Sequence, residues 1–123
     1  MGHSRNRPQL LPEKLLAIRD FLNVAQPDMA SKLQFEILSH SRQQYRITSA
    51  RISEYENGKR EPNLLVMIAY VRLGQVHMES LVDDQVTVDD FRKRLGKQFH
   101  SAELSTPDKS QRNKPVTLIT GTR

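Results

Sequence analysis

The chain contains no cysteine and no tryptophan, and its aromatic share is only 6%. Without cysteine there are no disulfides and no thiolate metal site, and a cytoplasmic protein is expected. No apolar run approaches the roughly 20 residues that span a bilayer, so no membrane segment is expected. The opening MGHSRNRPQLLPEK is basic but lacks the apolar stretch of a secretory signal. Hydrophobic residues fill 37% of 123 positions, too few to bury the chain from end to end. One small domain with polar ends is the expected outcome. His3, His40, His77 and His100 are scattered without ligand spacing, so neither a metal nor another cofactor is expected. No glycine-rich phosphate loop and no supported Ser/His/Asp set is present. Asp83-Asp84 and Asp89-Asp90 pair carboxylates as acid–base or magnesium chemistry would. They fall at a loop and a helix start, where Asp is favoured by capping and the helix dipole. No catalytic residue is assigned, and the chain does not read as an enzyme.

What is present is positive charge, +5 net at pH 7. It concentrates between residues 42 and 60, where Arg42, Arg46, Arg51, Lys59 and Arg60 face only Glu54 and Glu56. The rest of the excess lies at the two ends. Such a run is compatible with a solvated face or with a polyanionic partner.

Local patterns predict helices. Pro12 to Leu22 has proline in its first turn, an apolar face of Leu15, Ile18 and Leu22, and Asn23 as its stop. A second helix starts near Gln26 with Met29, Ala30 and Leu33 inward. From Gln34 to Ile47 two readings compete. The spacing of Met29, Leu33 and Ile37 prolongs the helix to about residue 40, followed by a loop, and this is the preferred reading. The other is a hairpin of residues 35–38 against 45–47. Thr48 caps a third helix that ends at Asn57 and Gly58. Asn63 caps a fourth, Leu64 to Leu73, with Leu64, Met67, Ile68 and Val71 inward. Met78 to Val82 is a short fifth. Thr87-Val88-Asp89-Asp90 opens a sixth with a capping-box variant, and Gly96 closes it. Tyr55, Tyr70, Met67 and Met78 read as core. Beyond residue 100 the chain is polar and aperiodic, and disorder is expected.

The run Ile52-Ser53-Glu54-Tyr55-Glu56-Asn57-Gly58-Lys59-Arg60-Glu61-Pro62 resembles the end of helix 3 in the phage-repressor and Cro-like helix-turn-helix family. Arg19, Val24 to Ala30 and Leu33 are similar to its helix 1 to helix 2 stretch, and Leu64 to Leu81 fits its helices 4 and 5. The resemblance spans about residues 13–82. It implies that Gln26 meets the DNA backbone, and that Thr48 binds phosphate. It implies that Ser49, Ala50 and Glu54 face bases with Arg51 alongside. Lys59 and Arg60, with peptide N–H groups near Asn57 and Gly58, would hold the opposite phosphates. Arg19 and Glu56 would form an ion pair tying helix 1 to helix 3. Physically this fits, because a helix in the major groove presents its N-terminal side chains to base edges, and small residues allow close approach. The bland alternatives are helix propensity for Ser49 and Ala50, and a solvent-exposed Gln26.

Several positions depart from the family pattern. Leu33 to Ile52 spans nineteen residues, an insertion of about a dozen between the two helices that define the motif. Gln34 replaces the usual glycine after Leu33, Ala25 a capping Ser or Thr, Gln75 the glycine that closes helix 4, and His77 the cap of helix 5. The insertion is expected to place Arg42, Tyr45 and Arg46 near the DNA backbone.

The expected architecture is therefore all-α: a five- to six-helix lambda-repressor-like helix-turn-helix domain with disordered termini. Residues 1–11 form a flexible basic arm, 12–82 the DNA-binding domain, 83–99 a helical extension and 100–123 a disordered tail. The expected function is sequence-specific binding of double-stranded DNA by a small bacterial-type regulator, by default a repressor. The alternative is an antitoxin-like or scaffold protein-interaction module of the same fold. A homodimer is expected, with Val82, Val86, Val88, Phe91, Leu95 and Phe99 as an apolar strip that either pairs two copies or packs on its own domain. No small-molecule effector is assigned.

Overall fold

A computed structural model describes residues 7–97, and among them the chain is all-helical. Six helices follow in order: α1 Leu11–Leu22, α2 Gln26–Ser41, α3 Ser49–Glu56, α4 Leu64–Gly74, α5 Met78–Val82 and α6 Val88–Arg94. No helix is long and apolar enough to cross a membrane. The expected disordered tail and Phe99 lie outside the described residues, as do the first six residues of the arm.

The helix ends are set by local chemistry. Asn23 takes the left-handed conformation (φ 58) and returns its N–H to Arg19 O and Asp20 O, closing α1. The hydroxyl of Thr48 accepts from Arg51 N at 3.2 Å, and Asn63 Oδ1 accepts from Val66 N at 3.0 Å, so α3 and α4 start where capping requires. Thr87 caps α6 by accepting from Asp90 N at 3.1 Å. Gln75 closes α4 with φ 53, doing from a non-glycine residue what glycine does more cheaply. Ala25 and His77 contribute no side-chain cap to α2 and α5. Gly96, past the end of α6, has φ +79, and a Cβ there would stand 2.9 Å from the Phe21 ring. Its N–H donates to Gly74 O at 2.8 Å, which ties the end of α6 to the end of α4.

The core is shared by all six helices. Leu15, Ile18, Met29, Leu33, Ile52, Val66, Tyr70, Leu81 and Phe91 are fully enclosed. Tyr55 and Tyr70 meet edge to face, ring centres 6.5 Å apart, as core aromatics should. On α4 Met67, Val71 and Tyr70 are buried as expected, but Leu64 is 62% exposed and Ile68 only half-buried, and Val66 and Ala69 point inward instead. Met78 is partly buried. Residues 83–95 are no appendage: α6 packs on α1, and Val86, Phe91 and Leu95 complete the core.

The two ends of the domain are joined by polar contacts. Asp84 accepts from Gln9 N at 2.8 Å and Leu10 N at 3.0 Å, capping α1 from the far end of the chain. Gln9 to Leu11, expected within the flexible arm, are thereby held, and Leu11 is buried. The Lys14 side chain is fully enclosed, with Nζ donating to Ser80 O at 2.8 Å and Asp83 O at 2.9 Å. The ammonium also lies 5.6 Å from the centre of the Phe91 ring. Burial lowers the Lys14 pKa, and the charges of Asp84 and Asp83 work against that shift.

The two backbone N–H groups hold the Asp84 carboxyl below its ordinary value of 3.8. The folded state therefore binds this proton less readily than the unfolded chain. The stabilisation is present above the ordinary value and is lost as pH falls through the lowered one. Asp84→Asn is expected to flatten the acid limb of stability between about pH 5 and pH 2. Urea midpoints compared across that range check it, and parallel acid limbs for both proteins contradict it.

Candidate nucleic-acid interface

The insertion is resolved as a longer helix followed by a loop. α2 runs to Ser41, about four turns, and closes at Arg42 in the left-handed conformation (φ 61). Residues 42–48 then return to the start of α3. Two side-chain bonds fix this return. Gln34 Oε1 accepts from Ile47 N at 2.9 Å, and the Tyr45 hydroxyl accepts from Asn63 Nδ2 at 2.6 Å. Asn63 therefore caps α4 with its oxygen while its nitrogen holds the loop. Asn63 is legible as a cap, but nothing local marks Gln34 and Tyr45 as braces, since their partners lie 13 and 18 residues away.

The return leaves the tip of α3 uncovered. Thr48 and Ala50 are exposed and Ser49 and Arg51 half-buried, while Ile52 and Tyr55 on the opposite side anchor the helix in the core. The first turn of α3 contains no acidic residue. The N–H groups of Ser49 and Ala50 have no intrahelical acceptor, as at any helix start, and they add partial positive charge to the tip. Burial raises the Tyr55 pKa, keeping the ring neutral at the base of the helix.

Exposed cations precede and follow α3 in the chain. Arg42 and Arg46 are exposed on the inserted loop, and Lys59 and Arg60 follow the C-terminal turn of α3. Gly58, with φ +76, makes that turn. A small hollow lined by Arg7, Pro8, Tyr55, Gly58 and Arg60 brings the N-terminal segment to the same side. The charge excess at residue 7 gave no hint of that proximity.

Some expected contacts are already engaged. Glu54, expected to face bases, is paired with Arg51 at 3.2 Å and Arg60 at 3.1 Å. At about 40% exposure these pairs are solvent-screened links that hold three side chains in register. The Gln26 amide donates to Glu56 Oε1 at 3.1 Å rather than standing free for the backbone. Asn57 Nδ2 bonds back to Ser53 O at 2.9 Å. The peptide N–H groups of Asn57 and Gly58, expected to hold phosphates, instead close α3 on Ser53 O and Tyr55 O. Helix closure takes precedence there because the last turn folds on itself whether or not a ligand is present. Tyr45, expected near the backbone, is half-buried and spends its hydroxyl on Asn63.

Behind the tip, Arg19 Nε meets Glu56 Oε2 at 2.6 Å and a second guanidinium nitrogen meets Oε1 at 3.1 Å. Arg19 also donates to Val24 O at 3.0 Å. The two-pronged hydrogen bond to Glu56 raises the Arg19 pKa further, against the penalty of burial. One carboxylate thus ties α1, the start of α2 and the end of α3 together. The Tyr70 hydroxyl is buried without a hydrogen-bond partner among the described residues, and burial, reinforced by the charge of Glu56, raises its pKa.

Among the described residues no group of His, Asp and Glu side chains is placed to hold a metal ion. No family model, curated protein or solved structure matches the chain.

Proposed function

We propose that the chain binds double-stranded DNA in a sequence-specific manner, laying the first turn of α3 in the major groove. The observation that carries this reading is the open, acid-free tip of Thr48, Ser49, Ala50 and Arg51, with exposed Arg42 and Arg46 before α3 in the chain and exposed Lys59 and Arg60 after it. Small side chains at a helix start admit close approach to base edges, and Arg51 offers the donors that a guanine accepts. Arg42 and Arg46 on one flank and Lys59 and Arg60 on the other supply the phosphate contacts that set register. The resemblance of residues 13–82 to the Cro-like family supports the same reading. In it the protein is a small bacterial-type regulator that represses by occupying a promoter. One α3 tip reads only a few base pairs, so two copies on a two-fold site are proposed. Of the C-terminal apolar strip, Val86, Phe91 and Leu95 are buried in their own domain, while Val82 is exposed and Val88 half-buried, so any pairing through it would use Val82 and Val88.

The test is a titration with duplex DNA across salt concentrations. Affinity is expected to fall steeply with salt, and Arg42→Ala/Arg46→Ala is expected to flatten the log–log slope by about one to two units. An unchanged slope removes the inserted loop from the interface. Absence of any salt-dependent affinity for duplex overturns the reading.

A further inference from the structure

The extension of α2 leaves an apolar strip uncovered. Phe35 is 69% exposed and Leu38 is 43% exposed. They lie three residues apart on one side of the helix, with Lys32 one turn before and Arg42 at the helix's C-terminal cap. Beside Leu38 a groove of about 460 Å³ opens between α2 and the inserted loop, lined also by Gln34, Gln44, Tyr45 and Arg46. Single exposed apolar residues are ordinary. A phenylalanine and a leucine on one stripe at the mouth of a groove make a surface that can bury a partner's side chains.

The charges around it are mostly positive. Lys32, Arg42 and Arg46 have no ion-pair partner among the described residues. Glu36, the carboxylate within the strip's length, is engaged by His40 at 2.9 Å. Gln34 Oε1 and the Tyr45 oxygen already accept hydrogen bonds, so the groove offers mainly donors. An occupant must bring apolar side chains for the strip and acceptors for its rim. Self-pairing of α2 would set the cations of two copies against each other. Duplex DNA would satisfy the cations and leave Phe35 and Leu38 against phosphates.

We propose that this face docks an acidic amphipathic helix of a partner protein, with apolar residues at i, i+3/i+4 spacing on the strip and carboxylates facing Lys32, Arg42 and Arg46. Lys32 to the end of α2 at Ser41 spans about 14 Å of helix, which matches roughly two to three turns of an occupant in the helix-in-groove mode. This surface does not include the α3 tip, though it shares Arg42 and Arg46 with the proposed DNA interface, and the inference does not rest on the DNA reading.

The probe is a fluorescein-labelled helical peptide of about 16 residues, with leucines at i, i+3, i+4 and i+7 and glutamates elsewhere. Fluorescence anisotropy follows its binding to the full chain at physiological ionic strength, without DNA. Control peptides carry serine for leucine or lysine for glutamate. The glutamate–leucine peptide is expected to bind, and both controls to bind at least about tenfold more weakly. Phe35→Ser/Leu38→Ser and Arg42→Glu/Arg46→Glu are each expected to weaken it by a similar factor. The charge-reversed variant is expected to prefer the lysine peptide. All four positions are exposed, so thermal melts of both variants are expected to match the parent. Amide shifts are expected at Gln34, Leu38, Gln44 and Arg46. The proposal is overturned by absence of binding up to about 1 mM peptide, or by equal binding of the serine peptide. It also falls if sedimentation shows the chain self-associating through Phe35 and Leu38, because a second copy is then the occupant.

Discussion

Ala50→Glu is expected to lower affinity for duplex DNA about 100-fold while leaving the fold intact. Ala50 is exposed in the first turn of α3, where no acidic residue stands. A carboxylate there improves the match to the helix dipole by roughly 0.3–1 kcal/mol, so the melting temperature is expected to hold or rise slightly. Against DNA the same carboxylate meets phosphates and acceptor-rich base edges and competes for the neighbouring Arg51. A hundredfold loss corresponds to about 2.8 kcal/mol, within the range that one or two mismatched base contacts cost. Anisotropy titration with a selected duplex measures the first quantity and circular dichroism melting the second. Undiminished affinity in a well-folded Ala50→Glu protein would place the first turn of α3 outside the interface.

Glu56→Ala is expected to destabilise the domain by about 3 kcal/mol, at the lower edge of what stranding a buried charge costs. The Glu56 side chain is only 6% exposed and that of Arg19 19%, so water cannot replace the lost partner fully. The substitution removes the two-pronged bond to Arg19 and the bond from Gln26 together. Glu56→Gln keeps an acceptor and is expected to cost less, which separates hydrogen bonding from charge. Arg19→Met strands the more deeply buried partner beside the Tyr70 hydroxyl, so its loss is expected to equal or exceed that of Glu56→Ala. Urea unfolding of the three variants provides the comparison. A loss below about 1 kcal/mol for Glu56→Ala would mean that the pair behaves like a surface contact.

What the sequence discloses here depends on how local the cause is. Asn23, Thr48, Asn63 and Thr87 act within four residues of themselves, and each helix boundary they predict stands. The longer α2 is legible in the spacing of Met29, Leu33 and Ile37, all buried. The inward face of α4 is only partly legible: Met67, Val71 and Tyr70 are buried as expected, but Leu64 and Ile68 are not, because Leu64 to Leu73 is apolar nearly all round and periodicity cannot choose a side. Its packing against α1 and α2 makes the choice. The open tip of Thr48 to Arg51 is legible in outline, since capping fixes where α3 starts. The engagement of Glu54 by Arg51 and Arg60 is not, because Arg60 reaches it only after the Gly58 turn. Lys14 is the plainest miss. A lysine in an amphipathic helix reads as solvated, and only the carbonyls of Ser80 and Asp83, 66 and 69 residues away, make its burial tolerable.

The ties from Asp84 to Gln9 and Leu10, and from Lys14 to Ser80 and Asp83, bear on how the chain emerges from the ribosome. α1 is made first, yet its cap and the acceptors for its buried ammonium are made last. At about 5–20 residues per second, α1 waits on the order of ten seconds for them. Throughout that interval a nascent chain ending before residue 84 has a first helix without its Asp84 cap and a Lys14 ammonium that stays in water. Stalling translation there would yield a polypeptide that has all of α1 to α4 and still cannot close around them.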